Sequence, residues 1–386
     1  MTPDAARSSD FPFDPGSFRD RASRVAIVGD DVLRALSPRG WADWQEVCEK
    51  PFFVREMAAG RIIRTEPLTS GDAPPELAGD WAGWLRHEKI AVMSYPYEWS
   101  CSMLREAALL TLDLMEAALA DGVILKDATP YNVQFVGTRP VFIDVPSFVP
   151  HEGGPWEGYR QFCQMFLYPL MLQAWKQVDF QPWLRGRIDG ITPQEFRRLL
   201  STRDLFRSGA FSHVFLHSQL SDRVGDATGG VKESLQSSGF DRSLVTANVQ
   251  GLRKIVEKLA WQLRSSRWSD YDRTAPPVGT DAAAKEAFVR TSLEGRTWGT
   301  VWDLGCNLGR YSRIAAENSR YVLALDVDHL TVDRLAAELR NEGHPTILPL
   351  VSNLADPSPC LGWRGLERRD LPGRSRPNMV FCLALI

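Results

Sequence analysis

Between Met103 and Ala120 apolar residues return every three or four positions, which places them along one side of a helix. Around that helix the pattern shortens. Ile90–Met93, Val133–Val136 and Val141–Ile143 are brief apolar runs bounded by Pro, Gly, Asn and Asp, and they predict strands. Helices and strands mix in this way from Val25 to about Gln262, as in one α+β unit. Residues 265–280 then turn polar and carry Pro and Gly, the composition of a linker. Past it the order is a helix over Ala282–Leu293, a strand over Thr300–Leu304, a helix over Tyr311–Glu317 and a strand over Tyr321–Asp326. A helix over Leu330–Asn341, a strand over Thr346–Val351, a loop and a strand over Met379–Ala384 complete it. Strands separated by helices predict a parallel, doubly wound sheet. The expected class is α/β, with a flexible leader at 1–21, an α+β region at 22–264, the linker, and a doubly wound region at 281–386.

A length of 386 residues exceeds what one hydrophobic core ordinarily serves, which agrees with two regions. A net charge of −3 supplies no basic stripe for a phosphate backbone, so a small-molecule substrate is expected rather than nucleic acid. No apolar run reaches about eighteen residues, and Met1–Asp20 has neither the basic start nor the apolar core of a secretion signal. No membrane partner and a cytoplasmic location are the expectations. The cysteines, Cys48, Cys101, Cys163, Cys306, Cys360 and Cys382, show no C-x-x-C spacing, which predicts reduced, mostly buried thiols rather than a zinc site or disulfides.

The first strand of the C-terminal series ends in V-W-D-L-G-C-N-L-G, Val301 to Gly309, an acid and a Gly-containing turn that open a helix. In an open α/β sheet this is where a ligand sits, with the helix N-terminus offering free N–H groups to an anion such as a carboxylate. The next strand ends at Asp326, where an acid can accept hydrogen bonds from ribose hydroxyls. The dinucleotide spacing G-x-G-x-x-G is not met. These residues resemble the class I S-adenosylmethionine methyltransferases, with their Rossmann-like sheet and first motif of acid-x-Gly-x-Gly-x-Gly. Asp303, Gly305 and Gly309 match that motif, and Asn307 takes the middle Gly, as Asn tolerates left-handed backbone. The resemblance implies S-adenosylmethionine contacts from Asp303, Gly305, Cys306, Asn307 and Gly309. Asp326 would clamp the ribose, Val327 beside it would also touch the cofactor, and Asn353 and Leu354 would meet the adenine. The fourth strand lacks the Asn/Asp-Pro-Pro-aromatic signature of enzymes that methylate base amino groups.

Earlier, Leu125-Lys-Asp-Ala-Thr-Pro-Tyr-Asn132 precedes Val-Gln-Phe and then Val-Phe-Ile-Asp144. This resembles the catalytic loop and metal-binding Asp of protein kinases and aminoglycoside-phosphotransferase-like enzymes. The resemblance implies that Asp127 orients or deprotonates an acceptor hydroxyl, that Asn132 and Asp144 hold Mg²⁺ on ATP, and that Ile90–Trp99 is the adenine hinge. A turn held by Asx hydrogen bonds is the plain alternative for Asp127 and Asn132. No Gly-rich loop or Val-Ala-Ile-Lys strand precedes residue 90, and Arg34 or Arg64 could replace the missing Lys, although an exposed, solvated Arg is the ordinary reading of either.

His213 and His217, four apart, suit a metal pair on a helix, but no third ligand accompanies them and packing is the simpler reading. The aromatic run Trp156–Tyr168 reads as core, and the arginines from Arg364 to Arg376 as a solvated loop. The order of the regions, kinase-like and then methyltransferase-like, also resembles bacterial nodulation-related methyltransferases, which implies a small-molecule or saccharide acceptor by analogy. The alternatives are an ATP/Mg²⁺-dependent phosphotransferase with an inert methyltransferase remnant, and a scaffold in which neither region turns over. Class I sheets continue past their fourth strand, so an incomplete sheet is expected here, with one apolar face uncovered and cofactor binding better preserved than turnover.

Overall fold

The computed structural model describes residues 13–69, 77, 79–218, 242–263, 265, 266, 268 and 280–383. Most of the expected linker, residues 1–12 of the expected leader and the end of the last strand lie outside them. The chain is mixed α/β. β1 (Ser23–Val28) and β2 (Asp31–Leu36) form a hairpin, followed by α1 (Pro38–Val47), α2 (Pro51–Ala58), β3 (Thr65–Pro67) and β4 (Gly83–His87), and the antiparallel sheet has the order β1-β2-β4-β3. Ser37 caps α1 by accepting from Gly40 N–H, and Pro38 suits the first helical position. Residues 88–95 form no strand. Ile90–Met93 buries Val92 without pairing, and the strand expected there is Gly83–His87.

α3 (Cys101–Ala120) is apolar on most of its circumference and lies in the centre of the core. Beyond it β5 (Val123–Leu125) pairs with β8 (Phe148–Pro150), and β6 (Val133–Val136) with β7 (Arg139–Phe142). α4 (Tyr159–Phe162), a π-helical stretch over Cys163–Leu167 and α5 (Tyr168–Lys176) carry the aromatic run, whose Phe162, Phe166 and Tyr168 are fully buried as the spacing predicts. α6 (Gln181–Gly186), α7 (Pro193–Leu199) and α8 (Arg242–Lys258) complete this region.

The C-terminal region runs α9 (Thr280–Leu293), β9 (Trp298–Leu304), α10 (Arg310–Glu317), β10 (Ser319–Asp326), α11 (His329–Glu342), β11 (Ile347–Val351), α12 (Leu371–Arg374) and β12 (Met379–Phe381). Its sheet is parallel throughout, in the order β11-β10-β9-β12. Successive side chains of a strand point to opposite faces. On one face Val322, Ala324 and Ile347 pack with Val289, Leu293, Ile314, Leu335 and Leu339 from α9, α10 and α11. On the other, Tyr321, Leu323, Leu325, Leu348 and Leu350 join the same core as α3. The N-terminal region covers that second face over β10 and β11, whereas on β12, in register with Trp302, Val380 is 42% exposed, as expected of an apolar surface left uncovered at the fourth strand. Burial of each covered side chain contributes about 1.5–3 kcal/mol. The crossover from β11 to β12 contains only short helical turns, so it supplies no helix layer of its own.

The regions also meet through polar contacts. Asp333 on α11 accepts from Ser102 N–H at 2.7 Å in the first turn of α3. The turn at Gly137 (φ 60°) approaches so closely that a Cβ there would lie 2.6 Å from His344 O. Residues 13–21 are pinned rather than flexible: Asp14 N–H donates to Val25 O at 2.6 Å, and Arg19 pairs with Glu367 at 2.8 Å. Cys101, Cys163 and Cys306 are buried, but Cys360 and Cys382 are exposed, so the thiols are not mostly buried. No helix among the described residues is long and apolar enough to cross a membrane.

Candidate functional site

After β9 the chain turns over Gly305, Asn307 and Gly309, with φ of 74°, 47° and 72°, before α10 begins. Gly adopts this left-handed region freely, and Asn tolerates it better than other side chains. A Cβ at Gly309 would stand 2.6 Å from Leu335 Cδ1, so only Gly lets the turn pack this closely against α11. Gly305 and Cys306 N–H donate to Leu325 O at 2.8 and 3.1 Å, which ties the turn to the end of β10. There Asp326 accepts from Asn307 N–H on Oδ2 and from Asp328 N–H on Oδ1, both at 2.9 Å. A carboxylate has about four lone-pair sites, so these bonds leave it able to accept further donors. Burial raises the pKa of Asp326, and the two N–H bonds oppose that rise.

The loops after β10 and β11 start side by side, Ser352 N–H donating to Asp326 O at 2.8 Å. They carry Val327 and Leu354, apolar side chains that are 49% and 43% exposed, and Asn353, whose side-chain oxygen accepts from Ala355 N–H at 3.0 Å. All of these stand at the carboxyl ends of the strands, next to the β9–β12 boundary where the strand order reverses, the usual ligand position of an open parallel sheet. Asp303 and Cys306 sit deeper than a ligand contact requires. Asp303 is 2% exposed, its Oδ2 accepts the Ser312 hydroxyl at 2.6 Å, and burial raises its pKa to about 6. It anchors α10 to β9, while Cys306 is packed in the core with its thiol pKa raised by burial.

Two residues at this site escaped the sequence reading. Trp268 N–H donates to Asp328 Oδ2 at 3.2 Å and Trp268 O accepts from Asn307 Nδ2 at 3.2 Å, so its backbone bridges the loops that follow β9 and β10. Asp328 also caps α11 by accepting from Leu330 and Thr331 N–H at 3.1 Å. An Asp just before an apolar helix was a readable signal for the cap. Trp268 had none.

In the N-terminal region the two ladders bring residues 126–132 beside residues 143–147. Lys126 N–H donates to Ser147 O at 2.9 Å, and Ile143 N–H to Asn132 O at 2.8 Å. Asp127, Asn132 and Asp144 therefore share one centre. Asn132 Nδ2 donates to Asp127 O at 3.3 Å and to Ser147 Oγ at 3.4 Å, and the Ser147 hydroxyl donates to Asp144 Oδ2. Burial, and then the neighbouring Asp144, raise the pKa of Asp127.

Arg34 joins this centre, a correction to the solvated reading; Arg64, with a side chain 79% exposed, fits it. Arg34 is buried on β2, donating through Nη1 to Asp144 Oδ1 at 2.7 Å and Ser23 Oγ at 3.1 Å, and through Nε to His87 Nε2 at 3.2 Å. His87 accepts from Arg34, so its Nδ1 carries the proton and donates to Thr65 Oγ1 at 2.8 Å. Burial and the Arg34 charge push the His87 pKa well below the usual histidine value.

His213 and His217 face tyrosine hydroxyls, each Nδ1 at 2.8 Å from Tyr159 or Tyr168, and burial holds both below the ordinary pKa, His213 at about 4. No group of three or more potential metal ligands occurs among the described residues. The late arginines correct another expectation. Arg374 and Glu98 are a buried bidentate pair, 2.5 and 3.1 Å apart and 3% exposed on each side. Arg374 Nη1 also donates to Met93 O, and its guanidinium lies 4.4 Å from the centre of the Tyr95 ring. Arg369 N–H donates to the Tyr95 hydroxyl at 3.0 Å, and Arg368 lies 5.1 Å over Tyr131.

Over 383 residues the chain is 32% identical to nodulation protein NoeA of Rhizobium meliloti (strain 1021), covering 96% of this chain and 77% of that protein. The chain belongs to the NoeA family. No family model matches it. Solved structures similar to this NoeA-family chain include vaccinia related kinase 3, with 11% identity, 63% of this chain and 89% of that one covered, and a TM-score of 0.29. The PknI kinase domain of Mycobacterium tuberculosis shares 12% identity over 37% of this chain and 67% of that one, with a TM-score of 0.23. The YcgJ protein from Bacillus subtilis shares 14% identity over 17% and 28%, with a TM-score of 0.17. Scores this low carry no argument about the fold.

Proposed function

We propose that this chain is an S-adenosylmethionine-dependent methyltransferase whose cofactor lies at the carboxyl ends of β9, β10 and β11. The observation that carries the reading is Asp326: a carboxylate at the end of the second strand, bonded by the N–H of Asn307 in the left-handed turn and by that of Asp328, with lone pairs left for two ribose hydroxyls. The turn at Gly305–Gly309 lets the backbone approach the methionine part, and the N–H groups that open α10 face its carboxylate. Val327 and Leu354 offer apolar side chains to the adenine. When bound, S-adenosylmethionine supplies a methyl group on a positively charged sulfur. The acceptor class, by the analogy with nodulation-related proteins, is a small molecule or a saccharide. The same proposal divides the chain into a kinase-like region at 22–264 and a methyltransferase region at 281–386, working in the cytoplasm without nucleic acid or membrane.

Calorimetric titration of the full chain with S-adenosylmethionine and S-adenosylhomocysteine tests this. Asp326→Ala removes two charge-assisted bonds to the ribose, each worth on the order of 1.5–3 kcal/mol, so binding should fall below detection. Asp326→Asn, which keeps the shape, should weaken it less. Unchanged affinity in both variants would rule the assignment out.

A further inference from the structure

The N-terminal centre has the residue types of a phosphotransferase, and their partners are already inside the chain. ATP with Mg²⁺ is the ligand that the catalytic-loop pattern implies, and the geometry at Asp144 does not fit it. Both carboxylate oxygens are engaged, Oδ1 by Arg34 at 2.7 Å and Oδ2 by the Ser147 hydroxyl. A divalent cation on Asp144 would stand beside a guanidinium in a partly buried site, where like charges repel more strongly than in water. Arg34 is not free to withdraw. It is fixed by Ser23 and by the unprotonated nitrogen of His87, which would lose its donor in a buried position.

The connector from β4 to α3 shows the same filling. Met93 O and both oxygens of Glu98 bond Arg374, Glu98 Oε2 also accepts from Tyr95 N–H at 2.8 Å, and the Tyr95 hydroxyl accepts from Arg369. These arginines belong to the crossover that leads to β12, and Ser375, next to Arg374, accepts from Trp302 Nε1 on β9 at 3.2 Å. Leu371 of the same segment is buried in the core that contains α3.

We infer that the N-terminal region is a nucleotide-independent scaffold, whose connector is the receptor for the β11–β12 crossover of the same chain. Its carboxylates hold arginines where a phosphotransferase holds metal and nucleotide. Its role is to order the crossover and cover the second face of the parallel sheet over β10 and β11, and it transfers no phosphate. This goes beyond the methyltransferase proposal and does not depend on it.

The test uses the full chain. Thermal unfolding and calorimetry with Mg²⁺ alone and with millimolar MgATP should show no saturable binding. Hydrogen exchange over residues 361–376 should be unaffected by MgATP. It should quicken there and in β12 in Arg374→Ala, while the middle of α3 keeps its protection. Should Arg374→Ala fail to fold, Arg374→Lys keeps the charge but loses the bidentate fork, and should give a smaller increase in the same segment. Saturable MgATP binding to the unaltered chain that disappears in Asp144→Asn would overturn the inference. So would unchanged exchange over 361–376 in the Arg374 variants.

Discussion

The two centres of this chain set their carboxylates against different partners. In the N-terminal centre Asp144 faces Arg34 at 2.7 Å, and nearby Glu98 faces Arg374 at 2.5 Å. In the C-terminal crevice Asp326 accepts from backbone N–H groups, at 2.9 Å. A guanidinium offsets the charge of the carboxylate it faces, whereas a peptide N–H leaves that charge in place. Asp127, Asn132 and Asp144 come together as their spacing suggests, yet what a carboxylate can bind is decided by the residue opposite it. That residue is distant in sequence.

Separating the regions should have the largest effect. Residues 280–383 produced alone would expose Trp302, Leu323, Leu325, Leu348 and Leu350, which pack on the N-terminal core. This fragment should aggregate or unfold, read by size-exclusion chromatography and circular dichroism. A monomeric fragment with a cooperative melt would contradict the shared core.

Next comes the buried pair. Arg374→Ala strands the Glu98 carboxylate and should cost about 3–5 kcal/mol in urea unfolding. Replacing both residues by Leu should recover much of that, because the stranded charge goes as well. A double variant no better than Arg374→Ala would show that the guanidinium matters for its other contacts instead.

The acid behind the crevice gives a smaller, pH-dependent effect. Burial raises Asp303 to about 6 in the folded chain, against an unfolded value of about 3.9. The folded state therefore holds this proton more tightly, and the Asp303 contribution to stability falls as pH rises from about 4 to about 6. Above that window the penalty is fully present, on the order of 3 kcal/mol at most. Asp303→Asn does not titrate, so it should gain on the unaltered chain across the window and keep the gain above it. A stability difference that stays flat from pH 4 to 7 would refute the raised value.

The smallest effect concerns a surface contact between the regions. Arg185 on α6 holds Asp356 in the loop after β11 at 2.9 and 3.0 Å, and the pair is solvent-exposed. Arg185→Ala should hardly alter the melting temperature, while hydrogen exchange in residues 353–357 quickens. The difference should shrink with added salt.

Much of the C-terminal sheet was legible because a parallel strand buried on both faces reads as a continuous apolar run, as Tyr321–Leu325 does. What covers the second face was not legible. Leu323 and Leu348 look the same in sequence whether a local helix or α3 packs on them. Arg34 and Arg374 read as surface charges for a related reason, since Asp144 lies 110 residues from the first and Glu98 276 from the second. Trp268 meets the crevice through its backbone, which leaves no side-chain pattern to find. Asn307 is the counter-example: its place at the middle Gly of the resembled motif, with the tolerance of Asn for left-handed backbone, was readable locally, and its φ is 47°.

The proposed ligand site of this chain is the C-terminal crevice and not the N-terminal centre. Parallel calorimetric titrations of the full chain with S-adenosylhomocysteine and with MgATP test it most directly. One saturable site for S-adenosylhomocysteine is expected, lost in Asp326→Ala, with no heat of binding for MgATP. Saturable MgATP binding together with no binding of S-adenosylhomocysteine would contradict it.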